Sequence, residues 1–178
     1  MRGSTGCRVA AFLGIAAAVG VVAGVGWELV VPLATYTVGP DGQARTSERA
    51  LTEFVAGDVW FAGLGLVAGV GLGTLAWRWF ARLGWRVVVL VVLTGAASAF
   101  VCWGVGSALG PGDFDTRLGA AAPGDVVSIE LTVRAAPSLL VWVFAAVAPV
   151  LVGSSLGRDP EDLPRVRGGA DEAPAVDR

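Results

Sequence analysis

The sequence predicts an all-α membrane protein: a four-helix transmembrane bundle with a small extracytoplasmic cap and a disordered C-terminal tail. The first observation is composition, since the 178 residues are 54% hydrophobic and 16% charged, whereas soluble domains carry about 25% charged residues. The second is that four apolar stretches are each long enough to cross a hydrocarbon layer about 30 Å thick. The third is that arginines gather beside the predicted inner ends of these stretches, as the positive-inside rule requires.

Four spans divide the chain. A cytoplasmic N-terminus of residues 1–8 precedes a transmembrane domain of residues 9–156, whose predicted spans cover residues 9–31, 59–77, 87–110 and 135–156. The connector between spans two and three reads RWFARLGWR and contains several arginines and no acid, so we expect it in the cytoplasm. Four spans then place both termini in the cytoplasm. The predicted location is the cell (plasma) membrane, with a multi-pass topology.

The two outer loops predict the cap. Residues Thr35–Val38 favour a strand and precede the turn residues GPDG, which predicts a β-hairpin. A short helix from about Ser47 to Val55 leads into span two. In the second outer loop, apolar and polar residues alternate over Val126–Arg134, which predicts a strand, although the same residues can be wound into an early start of span four. Acids outnumber arginines in both loops together, so we expect an acidic cap.

The C-terminal segment, residues 157–178, is rich in Pro, Gly and charged residues and poor in apolar ones. Such a composition buries too little apolar surface to offset the entropy of folding. We therefore predict a disordered cytoplasmic tail.

Small residues recur at every fourth position in the first three spans. Such ridges let helix backbones approach closely in lipid, where packing drives association. We predict internal packing of the bundle, with self-association or contact with other membrane proteins as the alternative; the lipid bilayer is the expected surrounding partner. The predicted packing positions are Gly20, Gly24, Gly65, Gly69, Gly73 and Gly106.

Glu28 is the one charged residue inside the predicted spans. It lies about 4 to 5 Å below the end of its apolar run, beside Trp27, which we expect at the outer membrane interface. Two roles stay open for Glu28: an interfacial anchor paired with an outer-face cation such as Arg134, or a ligand-binding or proton-handling group. Asp58 begins span two and is predicted to be its N-cap, with a functional role as the alternative.

Several kinds of chemistry are excluded by composition. The chain contains no His, so Ser-His and Cys-His nucleophilic catalysis within the chain is impossible and the usual zinc sites are not expected. The phosphate-binding and dinucleotide-binding glycine motifs are also absent in a strand-to-helix setting. We expect no enzymatic activity, no cofactor, no metal and no nucleic-acid partner.

Several segments also carry a family resemblance: WELVVP, GDVWFAGLGLVAG, GSALGPGD, PGDVVSIEL and LLVWVFAA. Over about residues 9–157 the chain resembles an uncharacterised family of small four-span actinobacterial membrane proteins, a domain of unknown function. The resemblance implies the fold and the membrane location, and no known activity. The sequence therefore favours a non-enzymatic scaffold or accessory component of the cell envelope, with a small transporter or channel component using Glu28 as the alternative.

Overall fold

The computed structural model describes residues 2–41, 43–46 and 48–156 and confirms the predicted fold class. Four helices in this part of the chain are long and apolar enough to cross a membrane. At one end of the bundle, a three-stranded sheet, a short helix and their connecting segments form the cap. The elements in chain order are α1 (Arg2–Val30), β1 (Thr35–Val38), β2 (Ala44–Thr46), α2 (Glu48–Phe80), α3 (Arg86–Leu109), α4 (Phe114–Gly119), β3 (Val126–Ser128) and α5 (Pro137–Leu156).

The helices extend beyond two of the predicted spans. α1 begins at Arg2, so the described residues of the predicted N-terminal segment are helical. α2 begins at Glu48, so the predicted short helix and the predicted second span form one continuous helix. The intervening residues 56–58 read AGD; Gly57 is a weak helix former, but the segment has no Pro to break the helix between two stretches that are themselves helical. The predicted disordered tail, 157–178, lies outside the described residues.

The cap sheet has the order β2-β1-β3, and β1 is antiparallel to both neighbours. The predicted hairpin is confirmed: the Gly39 N–H donates to the Gln43 carbonyl at 2.9 Å, where β1 turns back into β2. Of the predicted strand Val126–Arg134, only Val126–Ser128 forms β3, and residues 129–134 are neither strand nor helix. Tyr36 of β1 lies opposite Val127 of β3, and α5 begins only at Pro137.

The first helix pair joins α1 and α3. Successive long helices run in opposite directions, so α1 and α3 are parallel. A Cβ atom added to Gly20 would lie 2.8 Å from the Ser98 carbonyl oxygen, and one added to Gly24 would lie 2.7 Å from the Cys102 carbonyl oxygen. The two backbones are therefore in close contact over successive turns, which only glycine permits.

The second helix pair joins α2 and α5, which are parallel to each other and antiparallel to α1 and α3. A Cβ atom on Gly69 would lie 2.7 Å from the Trp142 carbonyl oxygen, Gly65 faces the Trp142 ring, and Gly73 faces the Ala146 carbonyl. The small-residue ridges of α1 and α2 thus lie inside the bundle, at contacts between helices of the same chain.

Side chains fill the interior of the bundle in two clusters. The cluster nearest the cap contains the buried aromatic residues Trp27, Phe61 and Trp142. The cluster at the opposite end is mostly aliphatic, with Phe12 and Phe80 in edge-to-face contact at 5.7 Å between ring centroids. The carboxylate of Asp58 lies where the aromatic cluster meets the cap.

Candidate functional site

Asp58 connects the bundle to the cap. Its carboxylate lies on α2 and accepts the backbone N–H of Arg134 at 3.0 Å and that of Ala135 at 3.1 Å. Both amides precede α5, so Asp58 fixes the point at which the chain returns from the cap to the bundle. The prediction that Asp58 is the N-cap of span two is wrong, because α2 has already begun at Glu48. The free amides that it satisfies belong to a different segment.

Trp27 joins two helices of the bundle, α1 and α2, at the same level. Its indole Nε1–H donates to the carbonyl oxygen of Gly57 at 2.9 Å, and its ring meets that of Phe61 at 5.2 Å between centroids. Trp27 is fully buried, so its ring packs inside the bundle; its position at the level of the outer membrane interface stays a prediction. Gly106 of α3 leaves room for the ring, since a Cβ atom there would collide with it.

Glu28 lies on α1 one turn beyond Gly24 and is half-buried. Among the residues that the structure describes, Glu28 forms no hydrogen bond and no ion pair; the described ion pair joins Asp41 and Arg45 in the cap. The predicted pairing of Glu28 with Arg134 is therefore not found. The structure brings Arg134 to Asp58 instead, through its backbone.

The cap contains a surface cavity of about 250 Å³, which we call the cap cleft. It combines two aromatic rings and an isoleucine with three carboxylates and one guanidinium group, so the formal charge of its lining is negative. The lining residues are Tyr36, Asp113, Phe114, Asp115, Ile129, Glu130 and Arg134.

Local bonds fix the two sides of the cap cleft. Asp113 is the N-cap of α4, where its carboxylate accepts the Thr116 hydroxyl and the Thr116 backbone N–H. These two bonds from Thr116 hold the pKa of Asp113 below its usual range, so the carboxylate is ionised at neutral pH. Arg117 of α4 donates to the Ser128 carbonyl of β3 at 2.8 Å. This bond joins α4 to the sheet.

A smaller cavity of about 210 Å³ adjoins the cap cleft and shares Asp113 and Glu130 with it. Its lining includes Ser107, whose buried hydroxyl oxygen has no hydrogen-bond partner among the described residues. The described residues contain no group of three His, Cys, Asp or Glu side chains that could hold a metal ion. The lining of the cap cleft, with two aromatic rings beside three carboxylates, is suited to contact with a ligand that is both cationic and apolar.

The sequence reasoning identified Glu28, Asp58 and Arg134 but missed the apolar part of the cap cleft. Tyr36 is the single tyrosine of the chain, and it lies in a strand that was predicted. Ile129 belongs to the predicted alternating segment. Their neighbour Phe114 comes from α4, and the Tyr36 and Phe114 rings lie 5.3 Å apart between centroids. Only the pairing of β1 with β3 brings these elements together.

Comparison with protein-family models, with curated proteins and with solved structures finds no match to this chain.

Proposed function

We propose that this protein is a non-enzymatic scaffold or accessory component of the cell envelope, which presents the cap cleft to a partner protein. The observation that carries the proposal is the fixed attachment of the cap to the bundle. Asp58 of α2 accepts the two backbone N–H groups of the segment that leads from the cap into α5. A surface anchored in this way keeps its orientation relative to the membrane and is suited to docking.

The chemistry of the cap cleft defines the partner that it would accept. Aromatic side chains such as Tyr36 and Phe114 contribute strongly to binding when a partner covers them. Asp113, Asp115 and Glu130 complement cationic groups and speed their approach. We therefore propose a partner segment that places a basic side chain beside an apolar one.

The orientation of the bundle is part of the proposal, with the cap outside the cytoplasm and both termini inside, as the arginines at the end opposite the cap predict. Cys7 is exposed at the end opposite the cap and serves as a natural reporter. In intact cells, a membrane-impermeant thiol reagent should label Gln43→Cys in a Cys7→Ala background and should leave Cys7 of the natural chain unlabelled. The reverse pattern would show the orientation to be wrong.

Photo-crosslinking in native membranes tests the scaffold role. A crosslinking amino acid replaces Asp115 at the cap cleft, and the same amino acid replaces Val67, which is 76% exposed on the membrane-facing side of α2, as the matched control. We expect a reproducible protein adduct from position 115 that is missing from position 67. The charge reversal Glu130→Arg, combined with the position 115 probe, should abolish this adduct while the protein accumulates normally.

Adducts that form equally at positions 115 and 67, or that survive Glu130→Arg unchanged, would contradict a docking role for the cap cleft. The adduct yield of each variant is divided by the amount of the protein in its own membranes, so differences in expression do not affect the comparison.

A small transporter or channel component is the second candidate, and Glu28 is the observation that favours it. A half-buried carboxylate on a membrane helix, with no partner among the described residues, is available to a cation or a proton. Glu28→Gln keeps the size of the side chain and removes its charge. Full complementation of a deletion strain by this variant at normal abundance would exclude the transport role, and failure at normal abundance would support it.

A further inference from the structure

The end of the bundle opposite the cap carries arginines without acidic partners in the described residues. Arg8 lies on α1, Arg78 near the end of α2, and Arg82 and Arg86 in and after the 3-10 turn that links α2 to α3. Every acidic residue in the described ranges lies on the cap or on the cap half of a helix. In this part of the chain, no ion pair neutralises these four guanidinium groups.

Two of these arginines, Arg8 and Arg78, line one cavity of about 370 Å³ between α1 and α2, together with Cys7, Ala11 and Trp79. We call it the arginine cleft. Because α1 and α2 are antiparallel, the start of α1 meets the end of α2 and brings the two cations to the same cavity. Like charges brought together without a counter-ion repel each other, so this arrangement favours a bound anion.

The surroundings of the arginine cleft indicate which anion it would bind. Trp79 is 39% exposed, and an exposed tryptophan at the end of a membrane helix lies at the level of the lipid headgroups. Further along the same two helices, Ile15 and Gly71 are exposed and apolar, so an acyl chain can continue from the cleft into the hydrocarbon layer. Guanidinium groups bind phosphate oxygens in a bidentate geometry.

We propose that Arg8 and Arg78 bind the headgroup phosphate of an anionic phospholipid in the arginine cleft, with the Trp79 ring beside the headgroup. This site lies at the opposite end of the molecule from the cap cleft and does not depend on the proposed scaffold role. Basic pockets between membrane helices commonly bind anionic headgroups. The acidic tail of the same chain and free phosphate are the competing occupants that the experiment must distinguish.

Native mass spectrometry of the full chain in detergent tests the proposal. We expect the protein to retain phosphatidylglycerol and not phosphatidylcholine. The double variant Arg8→Gln/Arg78→Gln should lower phosphatidylglycerol retention by about tenfold or more, because it removes two charge-assisted contacts. The matched control, Arg82→Gln/Arg86→Gln, removes the same charge from the same end of the bundle but leaves the arginine cleft intact, and should retain the lipid like the natural chain.

Three outcomes would overturn the proposal. Equal loss in both double variants would mean that only the overall charge matters. Displacement of the lipid by millimolar inorganic phosphate would assign the cleft to a free anion. If the natural chain binds no lipid and neutralising Asp159, Glu161 and Asp162 creates binding, the tail is the occupant. Unfolding temperature, measured on the same samples, separates loss of the site from loss of the fold.

Discussion

The α1–α3 pair and the α2–α5 pair use the same backbone approach but treat their buried polar atoms differently. In α1–α3, the Ser98 hydroxyl donates to the Ala16 carbonyl at 2.8 Å, and Trp27 of α1 donates its indole N–H to Gly57 of α2. In α2–α5, Trp142 is equally buried, but its indole nitrogen has no partner in the described part of the chain.

The difference shows how each pair is stabilised. A buried donor without an acceptor costs about 1 to 3 kcal/mol, and Pro149 removes a further backbone donor from the interior of α5. The α2–α5 pair therefore relies on close packing and on Asp58 at its cap end. The α1–α3 pair adds an interhelical hydrogen bond within the membrane. We expect α2–α5 to be the more sensitive pair to changes in packing.

The largest expected effect comes from Gly73→Ala. The added Cβ would collide with the Ala146 carbonyl of α5, and a backbone atom cannot move aside as a side chain can. We therefore expect the free energy of unfolding to fall by an amount at or above the upper end of about 1 to 3 kcal/mol. Gly24→Ala in α1–α3 should cost less, since its contact is longer. Unfolding by denaturing detergent measures both, with Gly71→Ala, which meets open space, as the neutral control. Equal losses at Gly73 and Gly71 would refute the packing argument.

Asp58→Ala should have the next largest effect. It removes the acceptor of the Arg134 and Ala135 amides; because these amides are exposed and water can replace the carboxylate, we expect each lost bond to cost about 0.5 to 1.5 kcal/mol. Asp58→Asn keeps one acceptor oxygen and should lose less. Hydrogen exchange at residues 134 and 135 reports the change directly, and unchanged protection in Asp58→Ala would show that these bonds do not hold the entry to α5.

Replacing each buried tryptophan by phenylalanine compares the two pairs directly. Both substitutions remove similar volume, but Trp27→Phe also removes the bond to Gly57, whereas Trp142→Phe removes a donor without a partner. We expect Trp27→Phe to be more destabilising by about 1 kcal/mol. Unfolding of both variants in the same detergent provides the measurement. The prediction fails if Trp142→Phe costs as much or more.

Ser98→Ala should give the smallest effect. It removes the Ser98–Ala16 hydrogen bond, and such interhelical bonds in membranes contribute about 0.6 kcal/mol on average. Ser154→Ala is the matched control, because that exposed hydroxyl bonds only within its own helix, to Leu151. If the two variants unfold identically, the hydroxyl of Ser98 adds nothing to the α1–α3 contact.

Local sequence patterns determined the elements of this protein. An apolar run of sufficient length defines a membrane helix whatever its neighbours are, which is why four spans could be read directly. The hairpin after Thr35–Val38 and the strand at Val126 follow from turn residues and a period of two. The glycine ridges are likewise visible, because their spacing of four matches one turn of a helix.

The tertiary structure alone decided which elements meet. Nothing in the spacing of glycines assigns α1 to α3 and α2 to α5. Only the contacts with Gly106 and Phe61 show that the Trp27 ring is buried, and Asp58 reads as a helix cap until residues 134 and 135 reach it from the far side of the cap. The physical reason is that helix and strand periodicity act over a few neighbouring residues, whereas the burial of a ring or the partner of a carboxylate depends on segments that only folding brings together.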